Sequence, residues 1–166
     1  MLRMRGRPKI KLARTYEEAV RIFDQYRDNM LGIISDMSFM RDGAKDPYAG
    51  YKFGQYVRKT GLIIPLVLES SESSNVVYAK ELNASFIDKN SKSYPQDLRA
   101  SIKRRFGFGD FVIIDPHTKQ EIMHIKDLKD LQTKVFQIPD DSLVFHLSRN
   151  HFSRFFYSRA IFPPAE

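Results

Sequence analysis

Three polar side chains each stand where a short apolar run stops. Leu31-Gly-Ile-Ile34 runs into Ser35-Asp36, Ile63-Ile-Pro-Leu-Val-Leu68 runs into Glu69-Ser70, and Ala84-Ser-Phe-Ile87 runs into Asp88-Lys89. A carboxylate can attack phosphorus and carry a phosphoryl group as an acyl phosphate. A serine hydroxyl can hydrogen-bond a phosphoryl oxygen, and a lysine ammonium can balance its charge. Each residue alone also has an ordinary reading. Asp and Ser after a strand are common turn formers, and a lone lysine there is usually solvated. The triple, in order and each at a strand end, is what points to phosphoryl chemistry.

For that chemistry the three runs must be strands whose carboxyl ends share one edge. The chain supplies the elements. Ile10, Leu12 and Ala13 form a short apolar-rich run that reads as a strand. Thr15 and Glu18 have the spacing of a capping box. Ala19, Val20, Ile22, Phe23 and Tyr26 then follow at helical spacing, which predicts an amphipathic helix over 16–27. Residues 31–34 lack polar alternation and predict a strand buried on both faces, the habit of a parallel sheet. The segment from Met40 to Pro47 reads as a polar loop. Residues 49–59 predict a helix with Phe53, Tyr56 and Val57 on one side, and Gly61 breaks the chain after it. A second strand over 63–68, a short helix over 75–82, a third strand over 84–87 and a helix over 95–106 complete an α/β alternation.

The pattern changes at Gly107-Phe-Gly109. These glycines are too few for a phosphate loop and read as a helix stop. Residues 111–114 and 122–125 flank Asp115-Pro116-His117-Thr118 as a hairpin. A helix over 127–138 follows, then one long helix over 142–160. That last helix carries Phe145, Phe152, Phe155, Phe156 and Tyr157 off any narrow stripe, so it should be buried on several sides. His146 and His151 lie five apart, about 500° around a continuous helix, so they should not share a face or chelate a metal.

Composition narrows the field. The 166 residues are 42% hydrophobic and 28% charged, a globular balance. No cysteine is present, which excludes disulfides, thiolate metal sites and cysteine nucleophiles. No apolar run reaches the roughly 18–20 residues of a membrane span, and no signal peptide opens the chain, so a cytoplasmic protein is expected. The net charge is +7, yet Arg3, Arg5, Arg7, Lys9 and Lys11 supply five of those charges. From Gly107 onward acids slightly outnumber bases. The basic excess is a lead over residues 1–9, not a basic face, and nucleic-acid binding is not expected.

Leu31-Gly-Ile-Ile-Ser-Asp36, Ile64-Pro-Leu-Val-Leu-Glu-Ser70 and Ala84-Ser-Phe-Ile-Asp-Lys89 resemble the corresponding segments of response-regulator receiver domains, over about residues 10–106. The resemblance implies a flavodoxin-like parallel sheet with helices on both faces. It puts Asp36 at the phosphoacceptor position, Ser70 at the switch-hydroxyl position, Lys89 at the phosphoryl charge partner and Phe86 at the switch aromatic. It implies Mg2+ held by Asp36 and the backbone carbonyl of Ser38. Two departures stand out. Asn90 replaces the proline that usually follows the lysine. The family's first strand, with the acidic pair that holds magnesium, has no counterpart. A gap is therefore expected between the strand near residue 10 and that near residue 33, left by truncation, closed by direct pairing or filled by another chain.

The full order, with Phe106-Gly-Phe-Gly-Asp-Phe111 and Pro139-Asp-Asp-Ser-Leu143 to Arg149-Asn-His-Phe-Ser153, resembles the amino-terminal region of bacterial pyruvate phosphate dikinase or phosphoenolpyruvate synthase-type proteins. That implies a connector over 107–166 made of a hairpin and two helices. It also implies a C-terminal or partner catalytic domain, a histidine kinase as phosphoryl source, and room for homo-oligomers. The segment itself is expected to be regulatory, not catalytic. A phosphorylation-independent pseudo-receiver is the alternative.

Overall fold

Thr15 opens the first helix as its spacing predicts. Its Oγ1 accepts the Glu18 N–H at 3.2 Å, while the Glu18 carboxylate accepts the Arg14 N–H at 2.9 Å, one residue further back than an ideal capping box. Helix α1 spans Tyr16–Tyr26 and ends in one 3₁₀ turn over Arg27–Asn29. This computed structural model describes residues 9–62 and 64–158. The basic lead up to Pro8, Ile63 and the tail from Arg159 lie outside the described residues. The chain divides into two compact units, and the division falls between Ser101 and Ile102.

In the first unit, strand β1 (Ile33–Asp36) is followed by a hairpin of β2 (Phe39–Arg41) and β3 (Ala44–Asp46). Helix α2 (Ala49–Lys59), strand β4 (Leu66–Ser70), helix α3 (Val76–Glu81) and strand β5 (Ser85–Asp88) follow. Strands β1, β4 and β5 form a parallel sheet in the order β1-β4-β5. Its core joins Ile33, Leu66 and Leu68 to Phe23 of α1 and to Phe53 and Val57 of α2. The Phe23 and Phe53 rings meet edge to face, their centroids 6.2 Å apart. Arg58 ties the end of α2 to the approaches of two strands, donating to the carbonyls of Ile64 and Leu82. Helix α4 (Tyr94–Arg105) leaves this unit and crosses into the next.

Three expectations change here. Residues 9–14 are not a strand. Ile10 is 95% and Leu12 72% exposed, and only Thr15 forms a bridge, to Met40 of β2. The direct pairing of a strand near residue 10 with β1 does not occur. Strand β1 is an edge strand and is not buried on both faces, since Ile33 is buried but Ile34 on the opposite face is 43% exposed. The segment 40–47 is not a plain loop but the β2–β3 hairpin. Its turn residues Asp42 and Gly43 have φ values of 50° and 78°, the left-handed pair that an Asp-Gly turn supplies.

Gly50, in the first turn of α2, sits directly against the backbone of Asp36 and Met37. Its N–H donates to the Met37 carbonyl at 3.0 Å. A Cβ at this position would collide with the Asp36 carbonyl oxygen, which is backbone and cannot swing aside.

The second unit contains the β6 (Phe111–Ile114) and β7 (Glu121–Ile125) hairpin, α5 (Leu128–Lys134), α6 (Asp140–Leu147) and α7 (His151–Tyr157). Its core gathers Phe111, Ile113, Ile125, Leu131, Phe152 and Phe155. The expected single helix over 142–160 is two helices. Asn150 adopts φ 55° and breaks it, as asparagine does more readily than most residues. The aromatic residues missed one stripe because they belong to two differently directed helices.

A Gly50→Ala variant is expected to destabilise the first unit by about 1–3 kcal/mol through overpacking. Gly43→Ala, which meets open space and carries only the left-handed strain, should cost about 1 kcal/mol. Urea unfolding of both variants checks the order of the two effects.

Candidate functional site

The parallel register aligns the strand ends. Asp36 lies opposite Glu69, and Ser70 lies opposite Asp88. Pairing continues past the strands. The Met37 N–H donates to the Glu69 carbonyl and the Lys89 N–H donates to the Ser70 carbonyl, both at 2.8 Å. The loops therefore leave the sheet together. They enclose a cleft of about 580 Å³ lined by Asp36, Ser38, Lys45, Ser70, Glu72 and Lys89, among others.

Asp36 and Lys89, 53 residues apart in sequence, form a direct ion pair. Ser70 is only 5% exposed, and its Oγ accepts two hydrogen bonds, from the Glu72 N–H at 3.0 Å and the Asn75 side-chain amide at 2.9 Å. Both lone pairs are thereby occupied, and the hydroxyl proton has no acceptor among the described residues. It is left to be donated to a group in the cleft. Ser38 also lines the cleft, and its N–H meets Asp36 Oδ1 at a long 3.5 Å. Phe86 does not reach the cleft. It is half-buried against the core, on the sheet face of Leu68.

Asn90 has a definite task here. Its N–H donates to the Asp88 carboxylate at 2.8 Å and its side-chain amide to the Ser71 carbonyl at 2.7 Å. Proline could make neither bond. Tyr94, at the start of α4, donates to the Glu69 carboxylate at 2.9 Å, and burial and that carboxylate raise its pKa.

Four cleft groups were not visible as such in the sequence: Lys45, Glu72, Asn75 and the Ser71 loop. The Asp42-Gly43 turn signal would have disclosed the hairpin, and with it Lys45. Ion pairs of Asp46 with Arg41 and Lys52 hold that hairpin, together with the bond from the Asp42 N–H to Glu17 at 2.9 Å. Asp46 is held below the usual carboxylate range chiefly by the Lys52 hydrogen bond, and Glu17 chiefly by the bond from the Asp42 N–H.

Magnesium, which the receiver resemblance implies, does not fit this donor set. Asp36 is already neutralised by Lys89. The second carboxylate of the cleft, Glu72, is exposed and unpaired among the described residues, as is the second lysine, Lys45, so that two carboxylates stand against two lysines and the lining carries no net negative charge. No group of three or more His, Asp or Glu side chains is placed to hold a metal among the described residues.

Comparisons with family models, curated proteins and solved structures find no match for this chain. No helix of the described residues is long and apolar enough to cross a membrane.

The histidines of the second unit meet, against the expectation from a continuous helix. The break at Asn150 turns them together, with their Nδ1 atoms 2.9 Å apart. His146 Nε2 accepts the Ile114 N–H at 3.1 Å. The neutral His146 ring must then carry its proton on Nδ1 and donate it to His151. A metal on these Nδ1 atoms would force a proton onto His146 Nε2, facing the Ile114 N–H. The pair is therefore a structural hydrogen bond. Desolvation lowers both pKa values to about 4, helped by Arg149 near His146 and by His146, Arg154 and Arg149 near His151. Unfolded histidines titrate near pH 6.5, so the unfolded chain gains protons that the folded chain refuses. Stability of the second unit is full above about pH 6.5 and is expected to fall as pH drops towards 4. Urea titrations at stepped pH, followed on the core amides Ile113 and Ile125, check this. His151→Asn should remove roughly half of the slope.

Proposed function

We propose that residues 9–101 are a receiver-like regulatory module with a flavodoxin-like parallel sheet, in which Asp36 accepts a phosphoryl group. The observation that carries this reading is the convergence of Asp36, Ser70 and Lys89 at the carboxyl ends of three adjacent parallel strands, with Asp36 paired to Lys89 and the Ser70 proton free to be given. In open parallel sheets that edge is where ligands bind. An Asp36 oxygen attacks phosphorus of the donor, an O–P bond forms, and the donor's P–O or P–N bond breaks with its electron pair leaving on the donor. Lys89 and the Ser70 hydroxyl then hold the phosphoryl oxygens. The new charge draws on groups that now pair locally, and Phe86, on the strand that ends at Lys89, repacks against the core margin. The donor on this reading is a histidine kinase or a small acyl phosphate. The regulated partner is an attached or separate phosphoenolpyruvate or pyruvate phosphotransfer domain.

A second reading has its own observation. Asp36 is already ion-paired and lacks the acidic neighbours that position magnesium, which suits a module that binds its partner without phosphorylation.

Intact mass after incubation with acetyl phosphate and magnesium separates the two. One labile phosphoryl group per chain is expected, absent in Asp36→Asn and slowed on the order of tenfold in Ser70→Ala, the loss of one charge-assisted hydrogen bond. An unlabelled wild-type chain sinks the phosphoacceptor reading and leaves the second.

A further inference from the structure

The cleft's charge inventory disagrees with a metal-dependent receiver, and the disagreement has a structural counterpart in Lys45. Strand β3 presents Lys45, opposite Met40 in the hairpin register, to the cleft that also holds Asp36 and Lys89. The other cations on or beside the hairpin, Arg41 of β2 and Lys52 of α2, are committed. Arg41 pairs with Asp42 and Asp46, and Lys52 with Asp46. Lys45 has no ion-pair or hydrogen-bond partner among the described residues. Its backbone is nevertheless well anchored. Asp46 next to it binds Arg41, Lys52 and the Tyr48 N–H, the last at 2.9 Å, and the hairpin is pinned to α1 through Glu17 and through the Thr15–Met40 bridge. An uncommitted ammonium on a fixed hairpin therefore faces a cleft whose first cation is already paired with Asp36.

Phosphorylation changes this balance. Asp36 alone carries one negative charge, which Lys89 matches. An acyl phosphate on Asp36 carries about two at neutral pH. A second positive charge close by then favours the dianion, through charge-assisted hydrogen bonds to its oxygens. A divalent cation would need carboxylates of its own, and the cleft offers only Glu72 beyond Asp36. A mobile lysine needs none.

We infer that Lys45 supplies the second positive charge of this site, so that the cleft holds a phosphoryl or free phosphate dianion between Lys89, Lys45 and the Ser70 hydroxyl without a divalent metal. This rests on the phosphoacceptor reading for the covalent step, but the anion site can be read independently of it.

Two measurements test it on the full chain. The first is labelling by acetyl phosphate in EDTA and in magnesium. The second is binding of inorganic phosphate in EDTA, read from amide shifts of Ser70, Ser71 and Lys89. Labelling that persists in EDTA, and phosphate binding weakened at least tenfold by Lys45→Gln but kept by Lys45→Arg, are the expected results. Lys45 is exposed and unpaired, so the urea midpoint of Lys45→Gln should match the wild type. Labelling that requires magnesium, or phosphate shifts indifferent to Lys45→Gln, overturns the inference while the phosphoacceptor reading stands. Metal-free phosphate binding that needs Lys45, with no labelling under either condition, sinks the phosphoacceptor reading and keeps the anion site. Neither labelling nor phosphate binding removes both.

Discussion

Two backbone hydrogen bonds just past the strand ends, Met37 N–H to Glu69 and Lys89 N–H to Ser70, fix where the polar groups of the first unit emerge. They extend the parallel register by one residue on each side of β4. Asp36, Ser70 and Lys89 are thereby carried to one edge by main-chain geometry, whatever their side chains do. The same constraint explains Gly50. Helix α2 must start against the Asp36–Met37 backbone for the register to end where it does, and only a residue without Cβ permits that approach. Asn90 closes the other side of the edge, linking the turn after β5 to the Ser71 carbonyl.

Electrostatics follow from that placement. A lysine brought against an aspartate removes the net negative charge that a magnesium site depends on, and a second lysine on the hairpin carries the balance to zero. On the reading proposed above, a phosphoryl group arriving at this edge meets Lys89 and Lys45 together. Ser70 is prepared for the same event from the other direction, since two donors fill its acceptor capacity and leave only a proton to offer.

In the second unit the decisive feature is one left-handed residue. Asn150 redirects the chain so that buried His146 and half-buried His151 face each other, and Ile114 selects the tautomer by donating to His146 Nε2. A pairing of this kind satisfies two rings inside an aromatic core and makes that core sensitive to acid, since neither ring takes a proton without losing its partner.

What the sequence determined by itself is the set of local elements. Thr15 and Glu18 announced α1, the apolar runs before Asp36, Ser70 and Lys89 announced three parallel strands, and the ordered polar ends announced a shared edge. These are legible because capping, periodicity and strand termination depend on neighbours a few residues away. Residues 9–14 misled, because an apolar run becomes a strand only where a sheet edge accepts it, and Thr15 pairs with Met40 instead. Asp42-Gly43 carries a hairpin-turn signal, but the flanking segments are too short and polar to show strand alternation. Only the tertiary structure decided the rest. The Asp36–Lys89 pair, the double capping of Ser70, the approach of Lys45 and the meeting of His146 with His151 join residues whose separation in space is set by sheet register and by one backbone reversal. Neither quantity is encoded in spacing along the chain.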